Sequence, residues 1–460
     1  MSAGIVADER VDRALFDVAE AVLDRARRAG ADHAEACLES ARSFQVKVQG
    51  GAIETLKQSA TRGLGLRVFV GGAEGFVSST DLRPESLDDL ARRAVELARF
   101  STPDEWNAVV STAEAGEPAA DLAIFDPAVA GMPAPQRIAL ALELERLALS
   151  ADPRIRRTDS VGVSTRDGQF VLANSMGLRR GYSETSIGAH VVALADDGDG
   201  KQQSGGYGRS HRFLADLPSP ETIAAEAVRR ALGRLGARSV PTARVPVILH
   251  PDIAGAWIAE MFDAFSGENV IKKSSWLSEK LGETIASPLV TLVDDGLLLR
   301  GYGSSPVDGD GVACQKNCLI DRGRCAMFVY DAYHARRAGT RSTGNAARGY
   351  SSTPGIGTGN LYVEAGTESP EAILRKVDRG FLMDDQGSFG FNSVTGDYSF
   401  QAQGQWIEKG ERVHAVEGVT VASTSLEMLK NVAAVGNDLV FDGSVASPTL
   451  LISEMTVSGS

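Results

Sequence analysis

Cysteine is scarce. Cys37, Cys314, Cys318 and Cys325 are the only four in 460 residues, too few for a disulfide-built scaffold, and reduced thiols are expected. From Cys314 to Cys325 no fourth cysteine or nearby histidine completes a zinc-ribbon register, so these read as strand and loop thiols. Long apolar runs are missing as well. No stretch reaches the ~18 residues of a membrane-spanning helix, and MSAGIVADERVDRALF shows early acids and no apolar h-region, so a secretory signal is not expected and a cytoplasmic location is. Positive charge is in deficit: 47 Lys and Arg against 60 Asp and Glu give a net −13. The short basic runs Arg25–Arg28 and Arg154–Arg157 are flanked by acids, which argues against direct nucleic-acid binding. Catalytic signatures are thin too. There is no G-x-S-x-G elbow and no Walker-type phosphate loop. None of the six histidines (His33, His190, His211, His250, His334, His414) is paired at helical ligand spacing, and His250 reads as a loop histidine.

What is present is an ordinary globular composition, 43% hydrophobic and 23% charged, in a chain long enough for about two to three domains. Apolar residues at three- and four-residue steps predict helices over 7–29, from about Ser86, over 135–149, and from Ser219-Pro220-Glu221 to about Leu235. Alternation predicts strands around Phe44–Val48, Leu64–Val70 and Phe76–Val77, with turns at Gly50-Gly51 and Gly71-Gly72. Further strands surround Val161–Leu172, with a turn at Asp167-Gly168, and Ile187–Ala195. Residues 101–133 read as loop. Asp196–Gly200 and Asp308–Gly311 superficially resemble calcium loops, but without the closing glutamate and flanking helices they read as hairpin turns. The polar connector 236–244 is the expected boundary between an N-terminal α/β domain, 1–240, and a β-rich C-terminal domain, 244–460. In the second part short strands over 287–332, a long Ser/Thr/Gly/Asn loop at 341–360, a strand at Leu361–Glu364, a hairpin turning at Lys409-Gly410, a helix from Thr424 to Gly436 and a final strand at Leu450–Met455 are expected. Gly355–Gly359 looks like a phosphate cradle, yet a strand pattern follows it where a helix N-terminus is needed.

The stretch around which the chain is organised is Val245–Gly267. A β-rich run ends at Pro251, and Asp252 caps an apolar series (Ile253, Trp257, Ile258, Met261, Phe262, Phe265) that predicts a helix closed by Gly267. Within it lies Ala259-Glu260-Met261-Phe262-Asp263-Ala264. Histidine at both alanines would make H-E-x-x-x-H, a zinc-peptidase motif whose i, i+5 ligands converge only if the helix widens locally. Methyl groups cannot donate to a metal, and a single helix glutamate such as Glu260 is most simply a solvated side chain.

Longer segments carry a resemblance. Ser342-Thr-Gly-Asn-Ala-Ala-Arg-Gly-Tyr350, Asn392-Ser-Val-Thr-Gly-Asp-Tyr398 with Trp406-Ile-Glu408, and Val435-Gly-Asn-Asp438 with Gly443–Pro448 resemble the TldD/PmbA family, within it the PmbA (TldE) branch, over essentially the whole chain. The resemblance implies a two-domain α+β fold, with a mixed-sheet N-terminal domain and a barrel- or sandwich-like C-terminal one. It also implies a zinc peptidase system in which the TldD branch carries H-E-x-x-x-H and a cysteine ligand. Those ligands fall on Ala259, Ala264 and a position near Val435, so this chain is expected to hold no metal, zinc residing in a TldD-like partner subunit. Heterodimer or homodimer, with an unfolded peptide bound as an added strand, is the implied assembly. Ser342, Thr343, Gly344, Asn345, Arg348, Gly349 and Tyr350 are the candidate peptide-binding residues. The alternatives are an autonomous metallopeptidase and a regulatory protein, such as a DNA gyrase modulator, that makes no direct DNA contact.

Overall fold

In this computed structural model residues 6–119, 121–387 and 390–459 are described. The first half is organised by one sheet. Its strands run in the order Ala73–Ser79, Ala52–Val70, His33–Gln49, Ile155–Asn174 and Arg179–Asp196, and this last strand carries both Gln202–His211 and the short parallel Val6–Ala7 on its far side. The inner strands are largely covered, whereas residues 52–62 of Ala52–Val70 are almost wholly exposed. Even-numbered residues of His33–Gln49 face the helices: Leu38 packs with Arg13–Ala29 and Pro84–Phe100, and Val46 with Ala134–Ala151 and Pro220–Leu232. Odd-numbered Cys37 lies on the opposite face, in a cluster with Val312 and Ala332 of the second half. The sheet is therefore sandwiched between its helices and the rest of the chain.

The second half contains a closed five-stranded barrel. Its strands are Glu411–Thr424, Asp397–Glu408, Arg379–Gln386, Ala243–Leu249 and Leu450–Ser458, and Thr420–Ala422 pairs with Thr456–Ser458 to close the ring. A second sheet, Arg324–Cys325, Lys316–Asp321, Leu292–Asp295, Asn360–Val363 and Val445–Ala446, lies across from it. The helix Pro251–Met261 shares one hydrophobic core with both: Trp257 and Met261 join Val247 and Phe381 of the barrel and Leu292 and Leu361 of the sheet. The fold is thus α+β with a β-rich second half, as the sequence implied.

Several local expectations are corrected. Asp167-Gly168 makes no turn; Ile155–Asn174 runs straight through it, because both residues are paired to Ala41–Arg42 on one side and Glu184–Thr185 on the other. Tertiary pairing overrides the local turn preference of Asp-Gly. The first helix starts at Arg13, where the Asp12 side chain accepts from the Ala14 N–H. Residues 101–133 hold two short helices, Thr112–Ala115 and Pro127–Ala130. The helix begun by Thr424 stops at Lys430, and Val432–Val435 continues as a strand on Leu450–Ile452. The α-helix of the central stretch ends at Met261, not Gly267.

Candidate functional site

The helix Pro251–Met261 starts on a tight local arrangement. His250 Nδ1 accepts the Asp252 N–H at 3.2 Å, and Pro251 occupies the first turn, where a missing N–H costs nothing. Burial pushes the His250 imidazole down to about 4, against the opposing pull of Asp252. The Asp252 carboxylate is held from the first half of the chain, by Arg230 at 2.8 Å and Arg209 at 3.3 Å. One helix face is then consumed by the core, and the Trp257 indole N–H donates to Ser425 Oγ at 3.1 Å.

Ala259 and Glu260 lie on the exposed face, whereas Ala264 is buried at 2% exposure. The Glu260 side chain has no hydrogen bond or ion pair among the described residues. After Met261 the backbone does not widen; it tightens into a 3₁₀ turn, Phe262–Phe265. The Ala264 carbonyl is fixed by Ser275 Oγ at 2.7 Å. Val435 is a buried strand residue opposite Leu450. Zinc is the group the motif suggests, and the donor set does not fit it. The three positions offer two methyls and an isopropyl, and among the described residues no group of three or more His, Cys, Asp or Glu side chains could hold a metal ion.

The stretch Ser342–Tyr350 is brought elsewhere, between the two halves of the chain. Thr343 and Asn345 are interior: Asn345 Nδ2 donates to Asp294 Oδ2 at 2.6 Å and to the Gly357 carbonyl at 2.9 Å, and Thr343 Oγ1 donates to Asn345 Oδ1 at 2.8 Å. Ala346-Ala347 pairs with Gly355-Ile356, closing the loop between them. Arg348, its side chain fully buried, forms an ion pair with Glu35. Tyr350 rests on the strand Ala52–Val70, where a Cβ on Gly63 would lie 2.2 Å from its ring and one on Gly65 2.2 Å from its carbonyl oxygen. Thr343, Asn345 and Arg348 therefore fix this loop, while Ser342, Gly344, Gly349 and Tyr350 remain partly accessible. In the Gly355–Gly359 run it is Gly359 that lies against another backbone segment, whereas a Cβ on Gly355 would meet nothing within 4 Å. Gly303 packs against the Gly359 carbonyl, where a Cβ would come within 2.1 Å, so these glycines allow backbone-to-backbone approach.

Sequence reasoning missed the charges beneath this loop. Arg67 reaches Glu35 at 3.3 Å and Asp310 at 3.7 Å, all three buried. Burial raises the Asp310 carboxyl above its ordinary range, against the pull of Arg67. Asp308, read from sequence as part of a hairpin turn, does turn the chain, with Val307 bridged to Ala313. Its carboxylate also accepts the N–H groups of Asp310, Val312 and Ala346. No local periodicity marks Glu35 or Arg67 as special; only the pairing across the domains does.

Three family domains match consecutive parts of the chain: the PmbA/TldA metallopeptidase domain 1 over residues 34–98, the central domain over 127–235 and the C-terminal domain over 242–459. The chain belongs to the TldD/PmbA metallopeptidase family. It is 29% identical to the metalloprotease PmbA of Escherichia coli O157:H7 over 93% of this chain and 92% of that one. To a TldD homologue of Haemophilus influenzae it is 25% identical, over 93% of both chains. Its fold matches that of TldE from Thermococcus kodakarensis with a TM-score of 0.85 at 23% identity, covering 96% of this chain and all of that one. A Thermotoga maritima protein named as a candidate DNA gyrase modulator matches at 0.88 and 23%, again over 96% and 100%. Within the TldD/PmbA family the chain falls on the PmbA (TldE) branch. The helix bearing Ala259 and Glu260 lies inside its C-terminal family domain.

Proposed function

We propose that this chain is the metal-free subunit of a TldD/PmbA-type peptidase assembly in the cytoplasm, and that zinc and hydrolysis belong to a TldD-like partner acting on unfolded peptides. The observation that carries this is the helix Pro251–Met261 itself. Its fold places the motif helix in the core of a metallopeptidase-family domain, yet it presents hydrocarbon at both histidine positions and turns tighter where ligand convergence needs a wider turn. With alanine at 259 and 264, no imidazole beside Glu260 could hold a metal whose water it would deprotonate.

The contribution left to this subunit is to shape and hold the peptide. The strand Ala52–Val70 supports that role. Its neighbour Ala73–Ser79 pairs only with Leu64–Val70, so residues 52–63 have no partner strand on that side among the described residues. An extended peptide can add there through main-chain hydrogen bonds, largely independent of sequence. Tyr350 lies over Gly63 and Gly65, on a face of the sheet at the inner end of this open stretch.

The test is reconstitution. Alone, the purified chain should hold no stoichiometric zinc by plasma emission analysis and should leave an unfolded peptide intact. Mixed with a TldD-like subunit it should co-elute on gel filtration and support cleavage that a chelator stops. Chelator-sensitive cleavage by this chain alone would overturn the reading in favour of an autonomous peptidase.

A further inference from the structure

The hairpin formed by His33–Gln49 and Ala52–Val70 ends in a fixed tip. The N–H groups of Gly50 and Gly51 donate to the two carboxylate oxygens of the buried Glu145, at 2.9 and 2.8 Å. The outer edge of Ala52–Val70 is nevertheless uncovered over residues 52–63 among the described residues, because Ala73–Ser79 pairs only from Leu64 onward. Ile53 and Leu56 are exposed on this stretch at 46% and 45%. A long exposed edge with a held geometry and apolar side chains is a template for another strand.

The residues of this edge complement themselves. A two-fold axis through the sheet makes two such edges antiparallel and keeps each face on its own side. Odd-numbered residues then oppose odd, and even oppose even. With the axis at Gln58, Leu56 lies opposite Ala60 of the second copy, Lys57 opposite Ser59 and Thr55 opposite Thr61, while Glu54 comes alongside Arg62. One step toward the turn puts the axis at Lys57 and sets two ammonium groups against each other. One step the other way runs Glu54 onto Leu64 of the second copy, whose outer side Ser79 already occupies. Only the register at Gln58 joins opposite charges and spans residues 53–63 without overlapping Ala73–Ser79 of either copy.

We propose that this edge pairs with the same edge of a second copy of this chain, about a two-fold axis at Gln58, and that the pairing covers the edge until an extended peptide displaces it. Main-chain hydrogen bonds supply the attraction. Exposed ion pairs add little individually, so Glu54 and Arg62 act chiefly on the register. The displacement rests on the peptide reading given above; the self-pairing rests on the edge alone.

Sedimentation velocity and oxidative cross-linking of the full chain test this. The wild type should form a concentration-dependent dimer. Gln58→Cys should cross-link to itself, whereas Thr55→Cys and Thr61→Cys should cross-link only when the two are mixed. The native cysteines are buried or half-buried, so the wild type gives the background. Glu54→Arg should weaken the dimer by about fivefold, and adding Arg62→Glu should restore it. All of these positions lie on the exposed stretch, outside the core. Dephosphorylated casein, an unfolded chain, should convert dimer to monomer. A chain that stays monomeric at every concentration, or that dimerises without this cross-linking pattern, would overturn the self-pairing, and casein binding to that chain would still uphold the peptide reading. A dimer that cross-links as stated but that casein does not dissociate would uphold the self-pairing and overturn the displacement together with the peptide reading.

Discussion

Arg348 and Glu35 meet with both side chains fully buried, one from a loop of the second half and the other from a central strand of the first sheet. Arg67 shares the same Glu35 oxygen. The pair ties the segment Ser342–Tyr350 to the central strand His33–Gln49 of the first half, so that segment is first of all a strap.

Breaking the pair one side at a time should be severe. Glu35→Leu strands the buried Arg348 and should cost roughly 3–5 kcal/mol in urea denaturation, whereas Arg348→Met leaves Glu35 its ion pair with Arg67 and should cost less. The double variant should lose less than the sum of the two. Additive losses would show that the residues do not act as a pair.

The glycines beneath Tyr350 give a sharper geometric test. Gly63→Ala forces a methyl into the Tyr350 ring and Gly65→Ala forces one into its carbonyl oxygen; each should cost about 1–3 kcal/mol. Adding Tyr350→Ala should relieve the first and not the second, since only the ring is removed. Thermal melts of the four variants read this directly.

Two buried groups should tilt the pH dependence in opposite directions. Burial raises the Asp294 carboxyl to about 6, despite bonds from Asn345 and the Gly359 N–H. The folded state therefore keeps a proton that the unfolded chain releases near pH 4. Stability from this group is present below the unfolded value and falls as pH rises to about 6, by on the order of 3 kcal/mol. His250 is depressed to about 4 by burial, so its contribution is intact above the unfolded value near 6.5 and is lost as pH falls toward 4. Melting temperature against pH should lose its downward limb in Asp294→Asn and its acid-side loss in His250→Asn. If neither variant alters the profile between pH 4 and 7, the assignments are wrong.

Restoring histidine to the motif helix should not restore a metal site. Ala259→His is exposed and should be nearly neutral. Ala264→His must fit a bulky ring into a core position at 2% exposure and should cost about 1–3 kcal/mol. The double variant should bind no stoichiometric zinc and cleave no peptide, because the third position is Val435. Peptidase activity from the double change alone would contradict this.

Much of the architecture was legible in the residues. Alternation in Phe44–Val48 and Leu64–Val70, the glycine pairs between strands and the Ser219-Pro220 cap all correspond to observed elements. The misses share one cause. Asp167-Gly168 has the chemistry of a turn and Phe262–Phe265 the spacing of a helix, but neighbouring strands fix the first as extended and packing tightens the second. The candidate site divides likewise. That Ala259, Ala264 and Val435 lack metal-donor atoms is covalent fact, readable without coordinates. That Arg348 points to Glu35 and not to a groove is not.

By itself, then, the sequence determined which chemistries are unavailable here, since a side chain's donor atoms do not depend on where it is placed. The tertiary structure alone decided which charges are paired. Arg67, Arg348 and Arg180 look alike in the sequence, and they differ because folding removes all three from water while, among the described residues, it brings a carboxylate to only two of them.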